Sequence, residues 1–322
     1  MIRARIAAFF LALALAGLAT DADAQHFVVP EEVDTRNQLP IGDPVALLAR
    51  PTTSFGAVSL DGWLYVLGGY TGEPHDYHAR DQSRDFYRIS LFDHSVVQAL
   101  PNEPRLQSVT LEAWNGLVIR TGGLVALNEA DEDQALRSID DVHAFDPRTG
   151  EWSALPDMPE GRSSHDTAVL GSTLYVVGGW TIDDSQGTRN WQSDIWALDL
   201  RDTDRGWATI PATIERRALT AVPVGGRIAI IGGMTRTGNI ADDTDLFDPK
   251  TGEFEKGPSF PASAFGIDAT LIDGRIVASA SNGKVYTWRP GRSQWTHGAT
   301  LTHPRFFHRI ARGPAGEAYF IG

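Results

Sequence analysis

The chain has 322 residues, 42% of them hydrophobic, and a formal charge of −13; that is room for one large domain or two ordinary ones around a sizeable core. Nearly all positive charge is arginine, with three lysines in the whole chain, and the acidic balance argues against nonspecific nucleic-acid binding, which needs a basic surface. No cysteine occurs, which excludes disulfides, thiol nucleophiles, Cys-ligated zinc and iron–sulfur clusters.

At the N-terminus Arg3 and Arg5 precede an apolar run, Ile6 to Ala19, followed by Ala22-Asp23-Ala24. The run is short for a membrane span, and the small residues fit a cleavage site. Residues 1–24 therefore read as a secretory signal peptide cut before Gln25, which predicts a periplasmic or secreted protein with no membrane contact after cleavage. An uncleaved anchor is the alternative.

From Trp63 onward one pattern recurs. Strand-like runs end in a glycine doublet in "WLYVLGGY", "GLVIRTGGL", "TLYVVGGW" and "RIAIIGGM", with first glycines at Gly68, Gly122, Gly178 and Gly232, spaced 54, 56 and 54 residues apart. "RIVASAS" carries Ala280-Ser281 where the fifth doublet belongs, and "AYFIG" begins a sixth. Periods near 50 residues mark repeat architectures. Upstream of each run lies a tight turn (Asp61-Gly62, Asn115-Gly116, Gly171-Ser172, Gly225-Gly226, Asp273-Gly274) and another strand, which makes a hairpin. Downstream come a polar loop, a third strand, a turn, and a fourth strand carrying Trp152, Trp207, Phe254 or Trp295. Each unit is thus four antiparallel strands with two apolar faces. It is stable only when stacked on its neighbours.

The stretch Asp140 to Trp180 resembles a kelch repeat in every element: the doublet, the aromatic after the Thr-Gly turn, and the Leu-Pro-x-Met-Pro-x-x-Arg run. The resemblance runs from about Gln25 to the end. It implies a kelch-type β-propeller of about five to seven blades but no one function; the six markers make it six-bladed, a single all-β domain over residues 25–322. On this reading the doublets are structural, permitting positive φ and close approach between blades. The last repeat holds only two strands. Residues 25–48, with the strand-like His26–Pro30, are expected to complete it and leave no open sheet edge; the alternative is a chain that stops inside its last repeat.

Blade loops alternate between two faces, and the insertions fall on one of them: Tyr70–Arg84, Leu124–Asp140, Trp180–Ser193 and Met234–Asp243. Long loops on a rigid scaffold carry function. The blade entries bring Arg50, Arg105, Arg162, Arg216 (with Arg217) and Arg305 to that face. Converging guanidinium groups would suit carboxylate or phosphate, although pairing with backbone or acidic neighbours explains them equally well. Tyr70 and Trp180 join them as expected ligand contacts, with Tyr77 and Trp191 nearby; Trp191 reads equally as core. His75 and His78 have a metal-like spacing, but two histidines in a polar loop are ordinarily just solvated, so no metal and no cofactor is expected. Among loop carboxylates Glu73, Glu129, Asp183 and Asp184 nothing singles out a catalytic acid, and no hydrolase, zinc-protease or P-loop motif occurs.

Two functions remain. One is an exported binding or interaction module whose partner is an anionic small molecule, glycan or peptide. The other is a sugar-processing enzyme resembling the kelch-type sialic acid mutarotases. A copper radical oxidase like galactose oxidase is excluded because its Cys–Tyr crosslink needs a cysteine, and the sialidase S-x-D-x-G-x-x-W boxes are absent.

Overall fold

Five of the repeats fold as four-stranded antiparallel sheets with the strands in chain order. The computed structural model describes residues 44–101 and 104–322; the expected signal peptide and the part of the closing segment at 25–43 lie outside the described residues. The sheets have first strands at Gly56–Leu60, Thr110–Trp114, Asp166–Leu170, Thr220–Val224 and Asp268–Ile272, and we number them blades 1 to 5. Blade 6 has two described strands, Arg309–Arg312 and Ala318–Ile321. The six first strands are neighbours in sequence order, and that of blade 6 returns to that of blade 1, closing a ring around a central channel.

The apolar faces are buried between blades, as the stacking argument requires. Val109, Val118 and Phe145 of blade 2 pack on Tyr65, Leu67 and Phe86 of blade 1, and similar shared clusters join blades 2 and 3, 3 and 4, and 4 and 5. Between blades 6 and 1, Ala311 and Ile321 pack on Leu64 and Ile89 with Ala46 and Leu48 against them. Residues 44–48 form no strand, so this part of the expected closing segment contributes packing, not sheet.

The glycine doublets latch each blade to the next. The second glycine donates its N–H to a carbonyl in the following blade's entry: Gly69 to Leu106 at 2.7 Å, Gly123 to Arg162 at 2.9 Å, Gly179 to Arg216 at 2.8 Å and Gly233 to Ala264 at 2.7 Å. At Gly178, with φ of 63°, a Cβ would stand 2.4 Å from the Arg216 carbonyl oxygen. Positive φ and the missing side chain are both required there.

A second ring encircles the channel mouth. Ser54, Ser108, Ser164, Ala218, Gly266 and Phe307 occupy one equivalent position in the six blades, and all have φ between 49° and 64°. Their backbones are chained: Ser54 N–H donates to the Phe307 carbonyl, Ser108 to Ser54, Ala218 to Ser164, Gly266 to Ala218 and Phe307 to Gly266, at 2.6–3.2 Å.

The insertions are more ordered than expected. Leu124–Ala126, Leu136–Ser138, Trp180–Asp183 and Thr188–Trp191 combine across blades 2 and 3 into an extra four-stranded sheet. Its inner side is an apolar cluster of Leu124, Ala126, Leu136 and Ile182, with Tyr77 and Trp180 against it.

Candidate functional site

A cavity of about 1490 Å³ opens on the face that carries the insertions. The extra sheet walls one side, the left-handed ring forms the floor around the axis, and a groove continues between blades 6 and 1 towards Leu48 and Tyr319. Among the described residues four arginines (Arg50, Arg189, Arg217, Arg305) and three histidines (His75, His94, His303) line it, and no aspartate or glutamate does.

The structure divides the five expected arginines. Arg50 and Arg305 stand at the cavity, with Tyr70 and Trp180. Arg305 donates to the carbonyls of Gly322 and His303, and exposed Arg50 lies 3.8 Å from Asp85. Arg105 sits instead beside the 80s loop, donating to the carbonyls of Arg80 and Gln82. Arg162 is fully buried in blade 3: its guanidinium stacks 3.4 Å over the Trp196 ring and donates to the Asp194 carbonyl. Arg216 is buried in an ion pair with Asp245. These three are not brought to the cavity.

Arg217 takes their place. Arg216 and Arg217 form a two-residue strand paired with Met234–Thr235, and successive strand residues point to opposite sides. One therefore enters the blade and the other the cavity wall. The Arg217 guanidinium lies 4.3 Å from the Trp180 ring centre, 5.5 Å from Trp191 and 5.2 Å from Phe265. Trp191, half-buried, stacks on Trp180 at 5.6 Å within the extra sheet, so it belongs to no blade core and does not itself line the cavity. Tyr70 and Tyr77 meet edge to face at 5.1 Å, and burial raises both phenols, Tyr70 to about 12; both are neutral hydrogen-bonding groups.

The histidine pair does not converge. His78 is buried against Asp76 and Asn128 while His75 turns towards Tyr77 at the cavity. Among the described residues no group of three or more His, Asp or Glu side chains is placed to hold a metal. The loop carboxylates Asp183 and Asp184 accept from Ser185 and from Arg189 and the Leu136 N–H, respectively.

Perturbed carboxylates occur instead inside the channel. Two residues below the left-handed ring, Arg309 spans the channel. It donates to Asp166 and Asp268, each at 3.1 Å, and to the carbonyls of Phe55 (3.2 Å) and Val109 (3.4 Å). One side chain of blade 6 thus touches blades 1, 3 and 5 and the entry of blade 2. Asp268 also accepts from the Ile310 N–H, and Asp166 from Ala221 N–H at 2.8 Å. Burial raises Asp268 despite its pairing with Arg309. Glu112 lies one strand pair deeper, accepting from Thr167 at 3.4 Å; burial, with Asp166 adding to it, pushes it up to about 8. Sequence reading missed these residues because each is a lone acid in an otherwise ordinary first strand; only ring closure brings them together.

Because Glu112 binds its proton more tightly folded than unfolded, its contribution to stability falls as pH rises from its ordinary value near 4.3 towards about 8. Glu112→Gln should therefore melt higher than wild type at pH 8 and nearly level with it at pH 5. Equal melting differences at both pH values would mean Glu112 is not held protonated.

Six sheets around an axis, with a cavity at one mouth, define a β-propeller. A model of the KLHDC2/KLHL20/DRC7 kelch-repeats domain matches residues 54–279, and the chain belongs to the kelch-repeat family. It is 24% identical over 224 residues to Kelch-like protein terF of Aspergillus terreus, covering 68% of this chain and 47% of that protein. It is 27% identical over 202 residues to Kelch-like protein 35 of Mus musculus, covering 63% and 30%. The chain thus spans about half or less of the length of these relatives. The solved structure titled "Structure of YjhT" matches with a TM-score of 0.67 at 13% identity, covering 87% of this chain and 96% of that one. That likeness is one of fold.

Proposed function

We propose that this propeller is a binding module for an anionic ligand, a glycan or acidic peptide, taken into the face cavity. One observation carries the reading. In a chain of net charge −13 with 41 acidic residues, the face cavity has four arginines in its wall and, among the described residues, no carboxylate. Such a wall attracts anions and, lined by aromatic rings, excludes enough water to strengthen the attraction. Calorimetry with N-acetylneuraminate, glucuronate and an acidic peptide tests it. At least one should bind, and Arg217→Met should weaken it about ten- to hundredfold. Arg162→Lys, buried away from the cavity, should leave affinity unchanged. If wild-type protein binds none of the three, the reading fails.

A second reading, a sugar-processing enzyme similar to sialic acid mutarotases, is favoured by the carboxylates Glu112 and Asp268, both raised by burial, near Arg309. Neither lines the cavity, and Asp268 is already engaged by Arg309 and Ile310, so binding is the stronger reading. Anomer exchange of N-acetylneuraminate followed by NMR decides between them: acceleration that disappears in Glu112→Gln would displace the binding reading.

A further inference from the structure

The repeat itself supplies a ruler for the cavity. Each blade entry presents one or both of two residues there, the left-handed one and the one before it. The six positions are equivalent in backbone, so the side chains that differ among them set the chemistry of the cavity. Blades 1 to 3 offer hydroxyls and an amide: Thr53 and Ser54, Gln107 and Ser108, and Ser164. Blade 4 offers Arg217. Blades 5 and 6 offer Phe265, Phe306 and Phe307.

The phenylalanines form one group. Phe306 and Phe307 lie 4.4 Å apart, and Phe265 lies 5.7 Å and 5.2 Å from them. All three are half-buried, so their rings form part of the wall and are not core. Phe307 is the sharper observation. It holds φ of 49° at a position where the other blades use Ser, Ala or Gly. A bulky residue in the left-handed region is a genuine outlier, and such strain concentrates at ligand sites. Arg217 touches Phe265 at 5.2 Å, placing the cation where the aromatic half meets the polar half.

Resting on the anion-binding reading above, we infer that the ligand is amphiphilic: an acid whose charged group sits by Arg217, with a hydroxyl-bearing part against blades 1 to 3 and an aryl or similar apolar body on the phenylalanines of blades 5 and 6. A plain sugar acid would leave those rings in water, whereas burying an aryl group on them adds the hydrophobic contribution of one aromatic side chain.

Three probes separate the parts: glucuronate, phenyl β-D-glucuronide and phenyl β-D-glucoside, titrated calorimetrically into the full chain. Phenyl glucuronide should bind about ten- to hundredfold more tightly than glucuronate, and more tightly than phenyl glucoside, which lacks the carboxylate. Phe307→Ser and, separately, Phe306→Thr install the residues that blade 1 uses at these positions. Each should remove most of the gain from the phenyl group, read as a ratio of phenyl glucuronide to glucuronate affinity that falls towards one, with melting checked for both. Equal affinity of wild type for glucuronate and phenyl glucuronide overturns this inference and leaves the anion site standing. No binding by either acid overturns this inference, and the anion reading falls with it when N-acetylneuraminate and the acidic peptide also fail to bind.

Discussion

Arg309→Met should destabilise the propeller by about 3–5 kcal/mol, the cost of leaving buried charges without their partner. By the usual scaling for large domains this lowers the melting temperature by roughly ten degrees. The reason is geometric. Arg309 alone reaches Asp166 and Asp268 and the carbonyls of Phe55 and Val109, so one truncation strands two carboxylates and loosens several blades together. The loss should shrink at pH 5, where burial favours the protonated form of Asp268. It should be largest at pH 8, where Glu112 and Asp268, already raised by burial, lose the cation that counters that rise. Arg309→Lys should recover part of the stability, since a single ammonium cannot span all four acceptors. Thermal melting at the two pH values reads all of this. A loss under about 1 kcal/mol, or one independent of pH, would mean that the channel is held by its strands alone.

The second large effect is expected at Trp152. Its ring sits 5.2 Å from Phe86 of blade 1 and 5.1 Å from Phe145 of its own blade, filling the wedge between two sheets. Trp152→Ala should cost about 3 kcal/mol, the low end for buried aromatic truncation because the ring is half-buried. Trp180→Ala should cost clearly less, since its ring lies in the extra sheet and not between blades, but it should weaken anion binding by removing the surface on which Arg217 rests. Denaturant melts and calorimetry on the pair give a crossed result: stability lost at Trp152 and binding lost at Trp180. Equal stability losses would place both tryptophans in the same kind of site.

How much of this was legible in the sequence follows from where each signal is written. The doublets at Gly68, Gly122, Gly178 and Gly232 are read directly, because a position that tolerates only glycine recurs at a fixed period, and the latch geometry at Gly178 shows why. The four-strand unit and the inter-blade aromatics follow from the same repetition. The arginines were legible in place but not in direction. Arg162 and Arg216 turn into their own blades, onto Trp196 and Asp245, and the one-residue step to Arg217 reverses the side. The extra sheet was hidden because an Asp-rich turn between Ala126 and Leu136 reads as a polar loop; the alternating Leu124, Ala126 and Leu136 were the available sign. The channel acids could not be found locally at all. Glu112, Asp166 and Asp268 belong to three repeats, and only the closed ring places them around Arg309.

The central claim is that the face cavity, and not the channel beneath it, is where an anion binds. A crystal structure of the protein with glucuronate bound tests this most directly. The account predicts the carboxylate in the cavity beside Arg217, near the Trp180 ring, with the Arg309 contacts to Asp166 and Asp268 intact. Glucuronate seated in the channel with Arg309 drawn away from those two aspartates, and the cavity empty, would contradict it.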